Sequence, residues 1–231
     1  MGPRFRGDDR QNLTSAAPDL STDRAHALSL FDVSRETTQR LDRFVELLLT
    51  WQRTTNLIAP STIPHLWTRH VADSLQLIDL APDALVWIDL GSGGGFPGLV
   101  IACALAGRPG GAVHLVESNA KKAAFLRDAQ RVTGAPAIVH HERIEDFVRA
   151  FEGHADAVTA RALAPLKSLL DLCFPLLGKS AVVGLFPKGQ NAELELGEAR
   201  QSWNIKVNLV PSRTDPTARI VVIRGLVRAT G

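Results

Sequence analysis

The residues with the most chemical content lie around one glycine-rich stretch. Asp89-Leu90-Gly91-Ser92-Gly93-Gly94-Gly95-Phe96-Pro97-Gly98 places a carboxylate two residues ahead of a run of glycines. Such a run permits tight turning and close backbone approach to a ligand, and Gly93 to Gly98 fit Gly-x-Gly-x-x-Gly, a pattern that several nucleotide ligands share. Asp89 narrows the choice. A carboxylate at a strand end suits a cationic amino group, or an ordered water beneath the loop, and opposes the anionic pyrophosphate of a dinucleotide. Glu117 stands where an acidic residue accepts both ribose hydroxyls, which fits NAD and S-adenosylmethionine alike. No Gly-x-x-x-x-Gly-Lys-Ser/Thr occurs, so a phosphate-cradling P-loop is not supported. These residues together imply an adenosine ligand that carries positive charge.

Positioning them requires a strand, a turn and a helix start. The apolar run over 85–90 reads as a buried parallel strand, and Pro97 suits the first turn of a helix running to about residue 106. Beyond it the pattern alternates. Strands are predicted over 112–117, 137–140, 155–160 and 180–186, with helices over 119–133, 144–151, 163–177 and 191–202. Two closing strands, 205–210 and 218–224, are joined by a short loop and must run antiparallel. Five β-α units ending in such a hairpin predict an α/β, Rossmann-like class I methyltransferase fold. Its seven-stranded sheet is mostly parallel with an antiparallel last strand. Before it come a helix N-capped by Ser34 and ending near Gln52, then a loop, then a helix over about 64–78. The expected organisation is a disordered tail (1–20), an N-terminal helical extension (21–80) and a core (81–231), together one compact domain.

Composition sets outer limits. The chain has 231 residues, 45% hydrophobic and 22% charged, as in ordinary globular proteins. There is no apolar run of membrane-spanning length, and residues 1–10 lack the apolar segment of a secretory signal. Cys103 and Cys173 sit in apolar helical surroundings and read as core thiols, which fits a cytoplasmic location. Net charge is only +2. The cations nevertheless cluster: Arg200, Lys206, Arg213, Arg219, Arg224 and Arg228 near the end, and Lys121, Lys122, Arg127 and Arg131 after the second strand. They form either a face for phosphates or a solvated surface.

Several blocks in the right order carry a resemblance. Asp89 to Gly98 is preceded by Asn56-Leu57 and by Arg69-His70-Val71-Ala72-Asp73-Ser74-Leu75. It is followed by Glu117-Ser118-Asn119-Ala120-Lys121-Lys122 and Phe125-Leu126, then by Arg143-Ile144-Glu145, Thr159-Ala160-Arg161-Ala162 and Pro187-Lys188-Gly189. From about residue 34 to 225 the chain resembles the bacterial 16S ribosomal RNA guanine-N7 methyltransferases, also called glucose-inhibited division protein B. It departs from the family at Thr55, where tyrosine is common, at Gly94 and Phe96 in the loop, and at Glu117, where aspartate is frequent.

The resemblance implies methyl transfer from S-adenosylmethionine to a guanine N7 in 16S ribosomal RNA within the small ribosomal subunit, by a monomer without metal or membrane. Neutral guanine N7 carries a free lone pair, so no general base is required and alignment does most of the work. The cofactor-binding candidates are Asp89, Gly91, Gly93, Phe96, Glu117, Ile144, Glu145 and Arg161. Arg161, Lys188 and Asn56 are the positioning candidates. Each has a plainer reading beside it. Glu145 also suits a helix start, Arg161 a surface ion pair, and Lys188 either an RNA phosphate or bulk water. Asn56 either reads a base edge or caps a turn. His70 and Asp73, three apart on one helix face, read as a structural pair, and Trp51 and Trp67 as core. The competing functions are an NAD-dependent oxidoreductase, which Asp89 opposes, and a non-catalytic RNA-binding module on the same fold.

Overall fold

In the computed structural model the described residues are 18–178 and 181–229. The predicted tail lies outside them up to residue 17, as does the predicted start of the fifth strand at residue 180. At the end of that tail Leu20 already packs into the core.

The helices form where apolar spacing and caps coincide. α1 (Ser21–Ser29) precedes α2 (Arg35–Gln52), whose N-cap Ser34 accepts the Thr37 N–H at 3.1 Å. α2 buries Leu41, Phe44, Val45 and Leu48, a single stripe at helical spacing. The helix predicted over 64–78 is built differently. A 3₁₀ turn (Pro60–His65) passes into a π-helical turn (Trp67–Ala72) and then into α3 (Asp73–Leu80). Asp23 of α1 accepts the Trp67 N–H at 2.7 Å and thereby ties α1 to that turn.

The alternating part follows as β1 (Val86–Leu90), α4 (Gly98–Leu105), β2 (Ala112–Val116), α5 (Ala120–Thr133), β3 (Ala137–His140), α6 (Ile144–Ala150), β4 (Ala157–Thr159) and α7 (Leu166–Leu177). It closes with β5 (Val183–Lys188), α8 (Ala192–Ala199), β6 (Trp203–Pro211) and β7 (Arg219–Arg228). Pro97 is the N-cap of α4 rather than its first residue. The seven strands order as β3-β2-β1-β4-β5-β7-β6, all parallel except β7, which is antiparallel to both neighbours. β1 therefore lies between β2 and β4, and chain order reverses across it. A crevice opens at the carboxyl ends of the strands at such a switch point.

Two apolar layers cover the sheet. One joins α2 to α5, with Phe44 5.2 Å from Phe96 and 6.2 Å from Phe125. The other joins α6, α7 and α8. The N-terminal helices thus complete the first layer. Strand alternation sends Trp87 into this layer and Ile88 into the other, so Asp89 points back beneath α4. Cys103 and Cys173 are buried free thiols, with burial pushing Cys103 up to about 12. No helix of the described residues is long and apolar enough to cross a membrane.

Candidate functional site

A cavity of about 780 Å³ opens at that switch point. Its walls come from the glycine loop after β1, the segment after β4, the end of β5, the loop before α3 and the β6–β7 connection. Of the predicted site residues it gathers Gly91, Gly93, Phe96, Arg161 and Lys188.

Asp89 lies beneath the loop, fully buried. Its Oδ2 accepts the Gly98 N–H at 3.0 Å, and its Oδ1 has no partner among the described residues. Burial raises its carboxyl to about 6, although the neighbouring Ser92 hydroxyl, which donates to the Asp89 backbone carbonyl at 3.0 Å, the Gly98 hydrogen bond and the Arg161 charge pull the other way. Position 98 admits only glycine without a shift, because a Cβ there would lie 2.4 Å from Leu115 Cδ2 and 2.5 Å from Asp89 Oδ2. The close approach of helix to strand is what brings the first N–H of α4 to Asp89.

Glu117 follows β2 directly and is 8% exposed. Its Oε2 accepts the Gly93 N–H at 2.9 Å and its Oε1 the Asn119 N–H at 2.7 Å. An ionised carboxylate has further lone pairs to offer beyond these two bonds. Glu117 thus braces the loop as well as bordering the cavity wall at Gly93.

Arg161 is the hub of the opposite wall. One guanidinium nitrogen donates to the Arg69 carbonyl at 3.1 Å and meets Asp73 Oδ2 at 3.4 Å. The other donates to His70 Nδ1 at 2.8 Å. The Arg161 guanidinium also sits 5.2 Å from the Phe96 ring centroid, and the His70 ring 4.9 Å from it. Since arginine has no acceptor, His70 Nδ1 must hold the lone pair. Its Nε2–H then donates to Thr62 Oγ1 at 2.8 Å, while that hydroxyl donates to the Ala59 carbonyl. His70 is accordingly a neutral imidazole with both nitrogens used. Burial, reinforced by the Arg161 and Arg69 charges, holds it down to about 3. His70 and Asp73 do not bond one another as a helical pair. They meet through Arg161, because the backbone between them is a π turn.

Lys188 lines the cavity and is not the lysine in bulk water of the plainer reading. Its side chain is 11% exposed, and its ammonium meets Glu195 Oε2 at 2.8 Å and donates to the Ala164 carbonyl at 2.6 Å. Asn56 is exposed, while its neighbours Leu57 and Ile58 are buried and line the cavity. Ile144 packs at the edge of the second apolar layer, and Glu145 pairs with Arg143 at 3.5 Å on the surface. Neither lines the cavity. Trp67 is buried and Trp51 packs 5.8 Å from Phe125, so both belong to the core side. Of the clustered cations, Arg213 pairs with Asp79, Arg228 with Asp171 and Arg131 with Asp128. Lys122 and Arg219 reach the cavity, with Arg69 beside them.

Two glutamines escaped the sequence reading. Gln52 accepts the Leu57 and Ile58 N–H groups at 2.9 and 3.1 Å and donates to the Ile58 carbonyl at 2.8 Å, holding the cavity roof. Gln76, 3% exposed, accepts the Arg213 N–H at 3.0 Å and bonds Asp73 and Ser212, pinning the β6–β7 connection. The available signal was a helix-terminal glutamine beside a loop, and a glutamine inside an apolar helix face.

Comparison with known proteins agrees with this geometry. Residues 37–220 match the family model described as rRNA small subunit methyltransferase G. The chain is 61% identical over 204 residues to the ribosomal RNA small subunit methyltransferase G of Bradyrhizobium sp. (strain BTAi1), covering 88% of this chain and 91% of that one. It is 55% identical over 212 residues to that of Rhodopseudomonas palustris (strain BisB18), covering 92% and 90%. In fold it is similar to an SAH-bound methyltransferase of Podospora anserina, with a TM-score of 0.61 at 11% identity over 97% of this chain and 99% of that one. A putative O-methyltransferase from Klebsiella pneumoniae gives 0.58 at 11% identity, over 89% and 97%.

Proposed function

The chain belongs to the rRNA small subunit methyltransferase G family, and from that premise we propose that it methylates N7 of a guanine in 16S ribosomal RNA, with S-adenosylmethionine as donor. The observation that carries the cofactor assignment is the unpartnered Asp89 Oδ1. A buried carboxylate oxygen without a donor is costly, and an ammonium group is the partner its charge calls for. A dinucleotide pyrophosphate is the opposite.

When bound, S-adenosylmethionine supplies an electrophilic methyl on a positively charged sulfur, open to attack by the lone pair of a neutral guanine N7. Asp89 would hold the donor's amino group and Glu117 its ribose hydroxyls. The turn at Gly91 and Gly93 leaves backbone room for both. Ile144 and Glu145 stand as the adenine-side proposal. His70 takes no proton, because its lone pair serves Arg161 and its titration lies far below neutrality. Its part is to fix Arg161 against Phe96 and Asp73. Arg161 then presents positive charge at the cavity, with Arg69, Lys122 and Arg219 near the rim for the RNA backbone. The substrate we assign is RNA within the small ribosomal subunit, met in the cytoplasm by a monomer.

Calorimetry with S-adenosylmethionine and with NAD tests the cofactor assignment. The sulfonium compound should bind and NAD should not; binding of NAD alone would overturn it.

A further inference from the structure

The segment joining β4 to α7, residues 160–165, borders the cavity between two charged anchors. At one end Arg161 is held by His70, Asp73 and the Arg69 carbonyl. At the other, Lys188 donates to the Ala164 carbonyl at 2.6 Å, and Glu195 Oε2 accepts both Lys188 Nζ at 2.8 Å and the Leu166 N–H at 2.7 Å. Between the anchors Ala162 adopts φ +53, a left-handed backbone uncommon outside glycine. An ion pair withdrawn from water costs desolvation. What Lys188 and Glu195 gain for it here is the fixed position of two backbone groups.

The segment carries Leu163. It is 37% exposed, and of the large exposed apolar residues described, which also include Ile138, Leu194 and Val227, it alone lines the cavity. It sits on the glycine loop: a Cβ built on Gly91 would lie 3.0 Å from Leu163 Cδ1. Gly91 itself has φ +73, so a side chain there is disfavoured twice over. The wall facing the loop is therefore a pair of leucine methyls, a surface suited to a methyl-bearing sulfur and to excluding water from it.

We propose that Leu163 is the contact that closes the cavity on the methyl donor, and that the Lys188–Glu195 pair is the device that positions it. This rests on the cavity taking S-adenosylmethionine. Leu163 touches the donor, whereas Glu195 acts through the backbone of the segment and is a positioning residue.

Calorimetric affinities for S-adenosylmethionine test this on the full chain, with wild type, Leu163→Ala, Leu163→Met, Glu195→Gln and the double variant Leu163→Ala/Glu195→Gln. Leu163→Ala should weaken binding about tenfold, on the scale of losing the buried contact of a leucine side chain, with an unchanged melting temperature of the unliganded protein. Leu163→Met should restore most of the affinity. Glu195→Gln should weaken binding about threefold in the wild-type background and not at all in the Leu163→Ala background, the non-additivity expected when one residue acts through another. Wild-type affinity in Leu163→Ala would overturn the proposal. Additive effects in the double variant would overturn the positioning role of Glu195. A wild-type protein that binds no S-adenosylmethionine would overturn the cofactor assignment, and the proposal with it.

Discussion

Replacing His70 with glutamine should exchange a fixed loss of stability for a pH-dependent gain. Glutamine can still offer an oxygen to Arg161 and an N–H to Thr62, but it loses the ring that lies 4.9 Å from Phe96. Near pH 7.5 that loss should cost about 1–2 kcal/mol. In the wild type His70 titrates near 3 when folded, against an ordinary value of 6.5. Between those values the unfolded chain holds a proton that the folded chain does not. His70's contribution is therefore complete above 6.5 and is lost as pH falls toward 3, at about 1.4 kcal/mol per pH unit. His114 and His140, both lowered chiefly by burial, act in the same direction. Asp89, raised to about 6, acts oppositely, since its folded form takes up the proton first and gains stability as pH falls from 6 toward 3.8. These groups persist in the variant, so the difference between the two proteins isolates His70. Urea unfolding at a series of pH values should give curves that cross near about pH 5.5, with the variant more stable by about 1 kcal/mol near pH 4.5. A gap that stays constant over this range would refute the buried neutral imidazole.

Other perturbations address the loop. Asp89→Asn should weaken S-adenosylmethionine binding by about 1.5–3 kcal/mol in calorimetry. In the wild type the same affinity should fall as pH drops below about 6, where Asp89 takes up its proton; Asp89→Asn should abolish that pH dependence. Glu117→Ala should weaken binding by about 1.5–3 kcal/mol, and unchanged affinity would remove Glu117 from the site. Gly98→Ala should lower stability to denaturant by about 1–3 kcal/mol, because its Cβ collides with Leu115 and the Asp89 carboxylate.

The alternation of short apolar runs and helical spacings makes the sheet and most helices legible in the sequence alone. The 112–116 strand, α5 and β3 fall within a residue or so of their expected ends, because caps such as Asn119 and Gly134 are local signals. α1 gave little pattern, since Ala27 is its one buried position. β5 was expected to stop before Pro187, yet it runs to Lys188, with Pro187 opposite Ile220 of β7. The π turn at 67–72 was invisible, and with it the aim of His70 and Asp73 at Arg161. The glycine loop could be read because its chemistry is contiguous in the chain. The pairing of Lys188 with Glu195 and the hold of Gln76 on residue 213 depend on elements that meet only after folding.

Methyl transfer is tested most directly by single-turnover reaction of the purified protein and labelled S-adenosylmethionine with small ribosomal subunits from cells lacking it, followed by mass mapping of the RNA. The expected product is a single 16S guanine bearing one new methyl group at N7. Absence of transfer despite bound S-adenosylmethionine, or a methyl group on any other atom, would contradict the assignment.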